Sequence, residues 1–508
     1  MAIDAQSANL SIAVVGAGAM GCGITQVASQ AGVKVLLFDA EEGAAQRGRA
    51  AVCDVLATMA AKGKLTGREA DAASERIKIA TDFTQLARAQ IVIEAISENL
   101  AAKRDLFTRL ETVVSADTLL TSNTSTLSIS AIAAGCKRPE RVAGFHFFNP
   151  VPSIKLCEVI EGLLTRPQVC DILCKLAQRF GHAAVRVKDS PGFLVNYAGR
   201  ALITEALQLL QENIAPHYEI DRILREQAGL LTGPFELMDL TGMDIAQPMT
   251  EAIYAQCFHE PRLRPSEIAA RQLAGGLLGR KTHRGFYTYE SNRAIEAPLI
   301  PPPDARPAQV WVSEERPELA DKLRSLVSSL GAKIDEGAYP DDDSLCLVTP
   351  LGHDATTCCI EEDLDAGRVV AIDMLFPTNR RRTLMATPIT RQSFRDQAHG
   401  LFASDGATVS FIRDSAGMVT QRVAAMLINI ACDLAQRRVA TPEDIETAVT
   451  AGLGYARGPF ALGQALGPRN VLTILDTMHS ITGDARYRPS LWLKRRALLE
   501  APLWMEEA

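Results

Sequence analysis

The tightest constraint on the fold lies near the start of the chain, where Ile12-Ala-Val-Val15 runs directly into Gly16-Ala17-Gly18-Ala19-Met20-Gly21. A helical stretch over Thr25–Ala31 follows, then a second apolar run, Val33–Phe38, closed by Asp39. Strand, glycine turn, helix and second strand make a βαβ unit of the kind that takes a dinucleotide. Gly16 would make the tight turn, Gly18 would let the backbone approach a pyrophosphate, and Gly21 would let the helix pack close to the strand. The pyrophosphate would sit on the helix N-terminus, where free N–H groups and the helix dipole favour an anion, so Gly16 to Gly21, Ala17, Ala19 and Met20 included, are the expected contacts. Asp39 would accept hydrogen bonds from the adenine ribose hydroxyls. Ala40-Glu41-Glu42 contains no arginine to meet a 2′-phosphate, so NAD is expected over NADP. The glycine motif alone also fits FAD. A ligand-free glycine turn is the bland alternative, and it has no need of the flanking strands, the helix and the acid together.

Strand-like runs recur at Ile91–Ala95, Leu119–Thr121 and Val142–Phe148, alternating with helical segments such as Ala44–Ala61 and Ala101–Val114. This alternation predicts an α/β, doubly wound parallel sheet over residues 1–188. From Asp189 the spacing turns helical, giving an all-α domain over 189–296. A Pro-rich stretch (297–307, APLIPPPDARP) reads as a stiff linker.

Self-comparison accounts for the rest. Asp189-Ser-Pro-Gly192 recurs as Asp414-Ser-Ala-Gly417, Glu219-Ile-Asp221 as Asp444-Ile-Glu446, and Gly233-Pro-Phe235 as Gly458-Pro-Phe460, all at an offset of 225. The helical domain is therefore duplicated, its second copy occupying 409–508. Only about half a sheet domain fits between linker and second copy, so 308–408 is expected to be a truncated, degenerate Rossmann-like domain. No Gly-rich loop follows a strand there. At the 225 offset, Ser125, His146, Glu158 and Asn196 correspond to Pro350, Ala371, Thr383 and Gln421, so no second active site is expected.

Charge and cysteine usage exclude other classes. Lys+Arg is 53 against Asp+Glu 60, a net charge of -7, which gives no footprint for nucleic acid or an anionic membrane surface. No run of 18 apolar residues exists, and the opening MAIDAQSANL lacks the positive n-region of a signal peptide. Eleven scattered cysteines without a C-x2-C pair point to reduced thiols in the cytoplasm and to no metal site.

A second constellation comprises Ser122-Asn-Thr-Ser125, Gly144-Phe-His146-Phe-Phe-Asn149-Pro150 and Lys155-Leu-Cys-Glu158-Val. His146 ends an apolar run among phenylalanines, where a protonated imidazole needs a nearby carboxylate. Glu158 is a lone acid in another apolar run, where an unpartnered carboxylate is costly. Pairing would answer both needs, although each also has an ordinary reading, as a core histidine and an edge-strand charge.

Together with Glu94-Ala-Ile-Ser-Glu98-Asn and Asp189-Ser-Pro-Gly-Phe-Leu-Val-Asn196, these motifs resemble the 3-hydroxyacyl-CoA dehydrogenases, over residues 10–290. The greater length, degenerate second half and Arg486-Tyr-Arg-Pro489 ending resemble the branch of phenylacetate catabolism that acts on 3-hydroxyadipyl-CoA. The resemblance implies NAD-dependent oxidation of an L-3-hydroxyacyl-CoA to the 3-oxo product, with His146 as base and Glu158 as its partner acid. It implies that Ser125 and Asn196 hold the substrate oxygen and the histidine, and that Glu98, Lys103, Ser125, Asn149 and Lys281 touch the cofactor. For CoA the candidates are Lys62, Lys64 and Ser125, the lysines by charge alone. The related family is dimeric through its helical domain, so a homodimer is expected, although a duplicated module could instead satisfy that surface within one chain. A fatty 3-hydroxyacyl-CoA such as 3-hydroxybutyryl-CoA is the alternative substrate. A non-enzymatic NAD-binding protein is the alternative from another class.

Overall fold

A computed structural model of the chain describes residues 3–506. The first half lays down β1 (Ser11–Val15), α1 (Ala19–Gln30), β2 (Lys34–Phe38), α2 (Ala44–Ala61), α3 (Gly67–Glu75), β3 (Ile77–Ile79), β4 (Ile91–Glu94), α4 (Leu100–Val113), β5 (Leu119–Ser122), α5 (Ile129–Ala133), β6 (Val142–Phe147), β7 (Leu156–Glu161), α6 (Pro167–Arg179) and β8 (Ala183–Lys188). The strands form one eight-stranded sheet in the order β3-β2-β1-β4-β5-β6-β7-β8. All neighbours are parallel except β6 and β7, which run antiparallel. The expected doubly wound sheet is present, with three strands beyond those read from the sequence. β3 is only three residues long, the run of β7 is interrupted by Glu158, and β8 carries Arg186 and Lys188. None therefore shows the long unbroken apolar run that marks a buried parallel strand.

Alternate residues of the strands, such as Ile12, Val14, Ile91 and Ile93, pack with Ile24, Val27 and Ala28 of α1 and with Val169, Leu173 and Leu176 of α6. That period-two pattern meeting a helical stripe is what fixes register, since a one-residue slip would turn the apolar set to the other face.

The helical region follows as α7 (Val195–Gln211), α8 (His217–Glu226), α9 (Pro234–Thr241), α10 (Met243–Gln256) and α11 (Glu267–Ala274), and ends in a small hairpin, β9 (Tyr289–Glu290) and β10 (Arg293–Ala294), that helical spacing did not predict. After the linker come β11 (Val310–Val312), α12 (Pro317–Ser329), β12 (Ile334–Asp335), β13 (Leu345–Val348), α13 (Ala355–Glu361), β14 (Val369–Ile372), β15 (Arg381–Ala386), α14 (Gln392–Phe402) and β16 (Thr408–Ile412). These strands make a six-stranded sheet, β12-β11-β13-β14-β15-β16, again with one antiparallel pair, β14 with β15. The second helical copy is α15 (Val419–Gln436), α16 (Pro442–Leu453), α17 (Pro459–Leu466), α18 (Pro468–Thr482) and α19 (Leu491–Leu499).

These segments collect into two compact units, one holding the chain up to Tyr197 with Leu434–Gly454, the other Ala198–Asp433 with the chain from Tyr455 onward. Part of the second helical copy thus belongs with the N-terminal sheet. Within the first unit, the Lys188 amide donates to Val439 O at 2.8 Å and the Arg186 amide to Asp444 Oδ2 at 3.3 Å. Within the second, the Arg413 amide donates to Ile214 O at 3.0 Å, while Arg381 pairs with Glu219 and Glu226 of α8 at 2.9 and 3.0 Å. Lys188 and Arg413 are related by the 225 offset, and so are Ile214 and Val439. Each copy of the helical module covers the edge strand of the other copy's sheet.

Register corrects one sequence correspondence. His146 faces Glu158 across β6 and β7. In the second sheet Ile372 faces Leu384, and the next residue, Asp373, donates its amide to Thr383 O at 3.1 Å. Thr383 does occupy the position of Glu158, but Asp373, rather than Ala371, occupies that of His146. The turn between β14 and β15 is two residues shorter than that between β6 and β7, which breaks the constant offset. Asp373 is completely buried and accepts hydrogen bonds from the Thr420 hydroxyl and from Gln421 Nε2. The second sheet thus fills the place of a base with an acceptor satisfied by its own neighbours.

Candidate active site

β1, β4, β5 and β6 are mutually parallel, and Val15, Glu94 and Ser122 stand in register at their carboxyl ends. The segments that carry the motifs leave the sheet along this one edge. It is also where strand order reverses between β2-β1 and β4-β5, the position at which open α/β sheets bind ligands.

The glycine loop fits a dinucleotide. Gly16 has φ 108°, and a Cβ there would lie 2.5 Å from Ala95 O. A Cβ on Gly21 would lie 1.8 Å from Gly16 O, whereas one on Gly18 would meet nothing within 4 Å. Two glycines are thus required by packing, and the third leaves open space in front of the backbone at the start of α1. Asp39 accepts from the Ala17 amide at 2.7 Å (Oδ2) and from the Glu41 amide at 2.9 Å (Oδ1), which fixes the carboxylate beside the loop. A 2′-phosphate would meet that carboxylate as a like charge with no compensating cation. Wild-type kcat/KM is therefore expected to favour NAD over NADP by at least ~100-fold, and Asp39→Ser to narrow the ratio. Comparable values with both cofactors would contradict the assignment.

Behind the loop lies a buried ion-pair network. Lys103 Nζ sits 2.5 Å from Glu94 Oε1 and 3.4 Å from Glu98 Oε2, and Ser122 Oγ donates to Glu94 Oε2 at 2.5 Å. Glu98 Oε1 accepts from the Thr124 hydroxyl at 2.6 Å and from the amides of Ser125 and Thr126 at 3.0 Å each. Burial alone would raise the Glu98 carboxyl, but these hydrogen bonds and the Lys103 ammonium outweigh it and hold the group below the usual carboxylate range. Glu94, Glu98 and Lys103 together clamp the loop after β4 to the loop after β5. Lys103 is 1% exposed, so its charge is spent within the protein.

His146 and Glu158 meet as the sequence suggested. Nδ1 lies 2.6 Å from Glu158 Oε2, and both side chains are buried. Glu158 Oε1 accepts from the amides of Leu194 and Val195 at 3.0 and 2.8 Å. The carboxylate thus sits at the N-terminus of α7, where the helix dipole favours negative charge. With Nδ1 committed to the carboxylate, Nε2 is the nitrogen left to take a proton. Phe148 and Phe193 flank the ring at 4.5 and 5.9 Å. Asn196 Nδ2 reaches Ser125 O at 3.4 Å, which brings those two candidates together.

Other candidates stand apart. Asn149 is exposed in the turn after β6, and Lys62 and Lys64 are exposed at the end of α2. Lys281 belongs to the second compact unit, where it pairs with Asp244 at 2.6 Å. Sequence reasoning missed three supports. Asn123 Oδ1 accepts from the Phe147 amide at 2.8 Å, tying the serine loop to the histidine strand. Asp189 accepts from the Ser128 hydroxyl and the Ser130 amide, both at 2.7 Å, anchoring α5. The Leu194 and Val195 amides hold Glu158, and the Pro-Gly turn before a helix was the available signal for them.

The family description "3-hydroxyacyl-CoA dehydrogenase, NAD binding domain" matches residues 11–190, and "3-hydroxyacyl-CoA dehydrogenase, C-terminal domain" matches 192–289 and 417–501. The chain is 37% identical to 3-hydroxyadipyl-CoA dehydrogenase of Escherichia coli K12, over 97% of this chain and 98% of that one. It is 39% identical to a probable 3-hydroxybutyryl-CoA dehydrogenase of Bacillus subtilis, over 55% of this chain and 97% of the relative. A crystal structure described as 3-hydroxybutyryl-CoA dehydrogenase from Escherichia coli K12 superposes with a TM-score of 0.86 at 36% identity, covering 97% of this chain and 99% of that one. With a strand–glycine loop–helix unit shaped for NAD and both family domains in place, the second of them twice, the chain belongs to the 3-hydroxyacyl-CoA dehydrogenase family and is an NAD-dependent oxidoreductase.

Proposed function

We propose that the enzyme oxidises L-3-hydroxyadipyl-CoA at C3, with His146 as the general base. The observation that carries the catalytic assignment is the 2.6 Å contact between His146 Nδ1 and a Glu158 carboxylate already held by two α7 amides. His146 Nε2 accepts the proton of the 3-hydroxyl as C3 loses hydride. Glu158 orients the ring and balances the imidazolium that forms. A positioned base contributes typically ~10²–10⁴-fold, and orientation of the substrate supplies much of the rest. Bound NAD supplies the hydride acceptor. Gly16 to Gly21 and Asp39 would hold its diphosphate and ribose, while Glu98, Ser125, Asn149 and Lys281 are the candidates for its other contacts, with Lys103, 1% exposed, acting through its pairing with Glu94 and Glu98. Ser125 and Asn196 orient the substrate oxygen. Lys62 and Lys64 are the charge-based candidates for the CoA phosphates.

The dicarboxylate reading is supported by the Escherichia coli 3-hydroxyadipyl-CoA dehydrogenase, similar over 97% of this chain, whereas the Bacillus subtilis 3-hydroxybutyryl-CoA relative covers only 55% of it. NADH formation is expected to give a higher kcat/KM with 3-hydroxyadipyl-CoA than with 3-hydroxyhexanoyl-CoA, which differs chiefly at the distal end. A clear advantage for the hexanoyl ester would overturn the substrate reading and leave the dehydrogenase standing.

No described helix is long and apolar enough to cross a membrane, and all eleven cysteines are free thiols, which supports a cytoplasmic location. A homodimer rests on resemblance. Pairing of Arg422 on α15 with Glu205 and Glu212 on α7, at 2.8 and 2.6 Å, favours a second reading, in which the duplicated helices satisfy each other within one chain.

A further inference from the structure

Pro191-Gly192-Phe193 forms the turn between β8 and α7. Gly192 has φ 69° and Phe193 φ 50°, so two successive residues are left-handed. Glycine takes that conformation freely, whereas a bulky side chain is strained in it. Such strain persists only where the surroundings hold it, and it collects at functional sites. The Phe193 amide donates to Ser190 O at 2.9 Å, which closes the turn. The next two amides, of Leu194 and Val195, then converge on Glu158 Oε1. Successive N–H groups turned to one side by a change of backbone hand make a concavity for an anion. Hydrogen bonds to a carboxylate are stronger than neutral ones, so the two that hold Glu158 offset the strain at Phe193.

The side chain explains why the position is not another glycine. Phe193 is 1% exposed, and its ring centroid lies 5.9 Å from that of His146 at a tilt of 58°, within the range of aromatic contact. One residue thus bears on both members of the pair, on Glu158 through the backbone and on His146 through the ring. The second helical copy has no such device. Gly417, the counterpart of Gly192, is also left-handed at φ 82°, but Met418, the counterpart of Phe193, is not among the described non-glycine residues of positive φ. There Thr383 and Asp373 stand in place of Glu158 and His146. The turn therefore folds without a left-handed residue after its glycine where no such pair has to be held.

We propose that Phe193 is a positioning residue, its left-handed backbone fixing Glu158 and its ring fixing His146, so that Nε2 stays aimed at the 3-hydroxyl. This rests on the reading above, in which His146 is the base. Without the ring, Glu158 keeps its amides but the imidazole is free to tilt about its Nδ1 contact. Misplacing reacting groups by an ångström costs up to ~100-fold in rate.

The test measures kcat, KM and NADH affinity for Phe193→Gly, Phe193→Met and Phe193→Tyr with 3-hydroxyadipyl-CoA and 3-hydroxyhexanoyl-CoA, each also deuterated at C3. Phe193→Gly adopts the left-handed turn without strain and removes only the ring. Its kcat is expected to fall roughly 10–100-fold on both esters, with KM and NADH affinity little changed and a full primary isotope effect on kcat. Should it fail to fold, Phe193→Met, which carries the residue of the second copy, fills the volume without a flat ring and is expected to lose about tenfold in kcat. Phe193→Tyr keeps the ring and is expected to recover most of the loss. Wild-type kcat in a folded Phe193→Gly or Phe193→Met, a Phe193→Tyr as slow as they are, a loss matched by weaker NADH binding, or a slowed kcat without an isotope effect would overturn the inference. A His146→Gln variant that keeps wild-type kcat overturns the base assignment itself, and this inference with it.

Discussion

His146→Gln is expected to lower kcat by ~10²–10⁴-fold while leaving NADH affinity unchanged. Gln has the reach of an imidazole but cannot accept the hydroxyl proton and carry it as a cation. The glycine loop and Asp39 belong to other strands, so cofactor binding does not depend on the ring. Glu158→Gln tests the same pair from its other side. The amide keeps one oxygen for the Leu194 and Val195 amides but offers the imidazolium no countercharge, so kcat falls with KM little changed. Stopped-flow NADH formation and equilibrium titration with NADH separate the two quantities. Retention of wild-type kcat by both variants would remove His146 from the mechanism.

The second large effect concerns stability. Arg422 is 1% exposed, and its guanidinium donates to Glu205, Glu212, the Ser415 hydroxyl and the Tyr487 hydroxyl, while Tyr487 donates to Glu205 at 3.0 Å. Glu205 is completely buried. Replacing the arginine by methionine fills much of the volume but leaves that carboxylate only the Tyr487 hydroxyl and a 3.8 Å contact with Arg486, and breaking such a pair typically costs ~3–5 kcal/mol. Urea unfolding of Arg422→Met is expected to show a loss of that size. The double variant Arg422→Met/Glu205→Leu is expected to recover most of it, because replacing both charges removes the penalty of leaving one alone. A double variant as unstable as the single one would mean that shape, rather than charge, holds these helices together.

The catalytic pair was legible because burial makes charge conspicuous. A histidine and an acid in two apolar runs, twelve residues apart, had few other ways to be satisfied, and the antiparallel step from β6 to β7 places them opposite each other. The glycine loop was legible for a different reason, since steric demand near Ala95 and Gly16 admits no other residue. The β7 and β8 strands were harder, because Glu158, Arg186 and Lys188 interrupt their apolar pattern. The correspondence of Asp373 to His146 was hidden by a β14–β15 turn two residues shorter than the β6–β7 turn, which a constant offset cannot see but a strand register can. The crosswise placement of the helical copies was not legible at all. Sequence similarity says which segments are alike, and not which partner each one packs on.

That crosswise placement bears on why a half without a dinucleotide loop is kept. An edge strand leaves a row of amides and carbonyls open to unwanted pairing with other chains. The amides of Arg186 and Lys188 in β8 are met by Asp444 and Val439 from the far end of the polypeptide. The half without a dinucleotide loop therefore shields the margin of the half that has one, and a gene shortened at the Pro-rich linker would encode every proposed catalytic residue on a sheet with a sticky border. Selection can let the second half vary where no cofactor has to fit, as Asp373 and Thr383 illustrate. It has no such latitude at the few positions that seal the other half's margin.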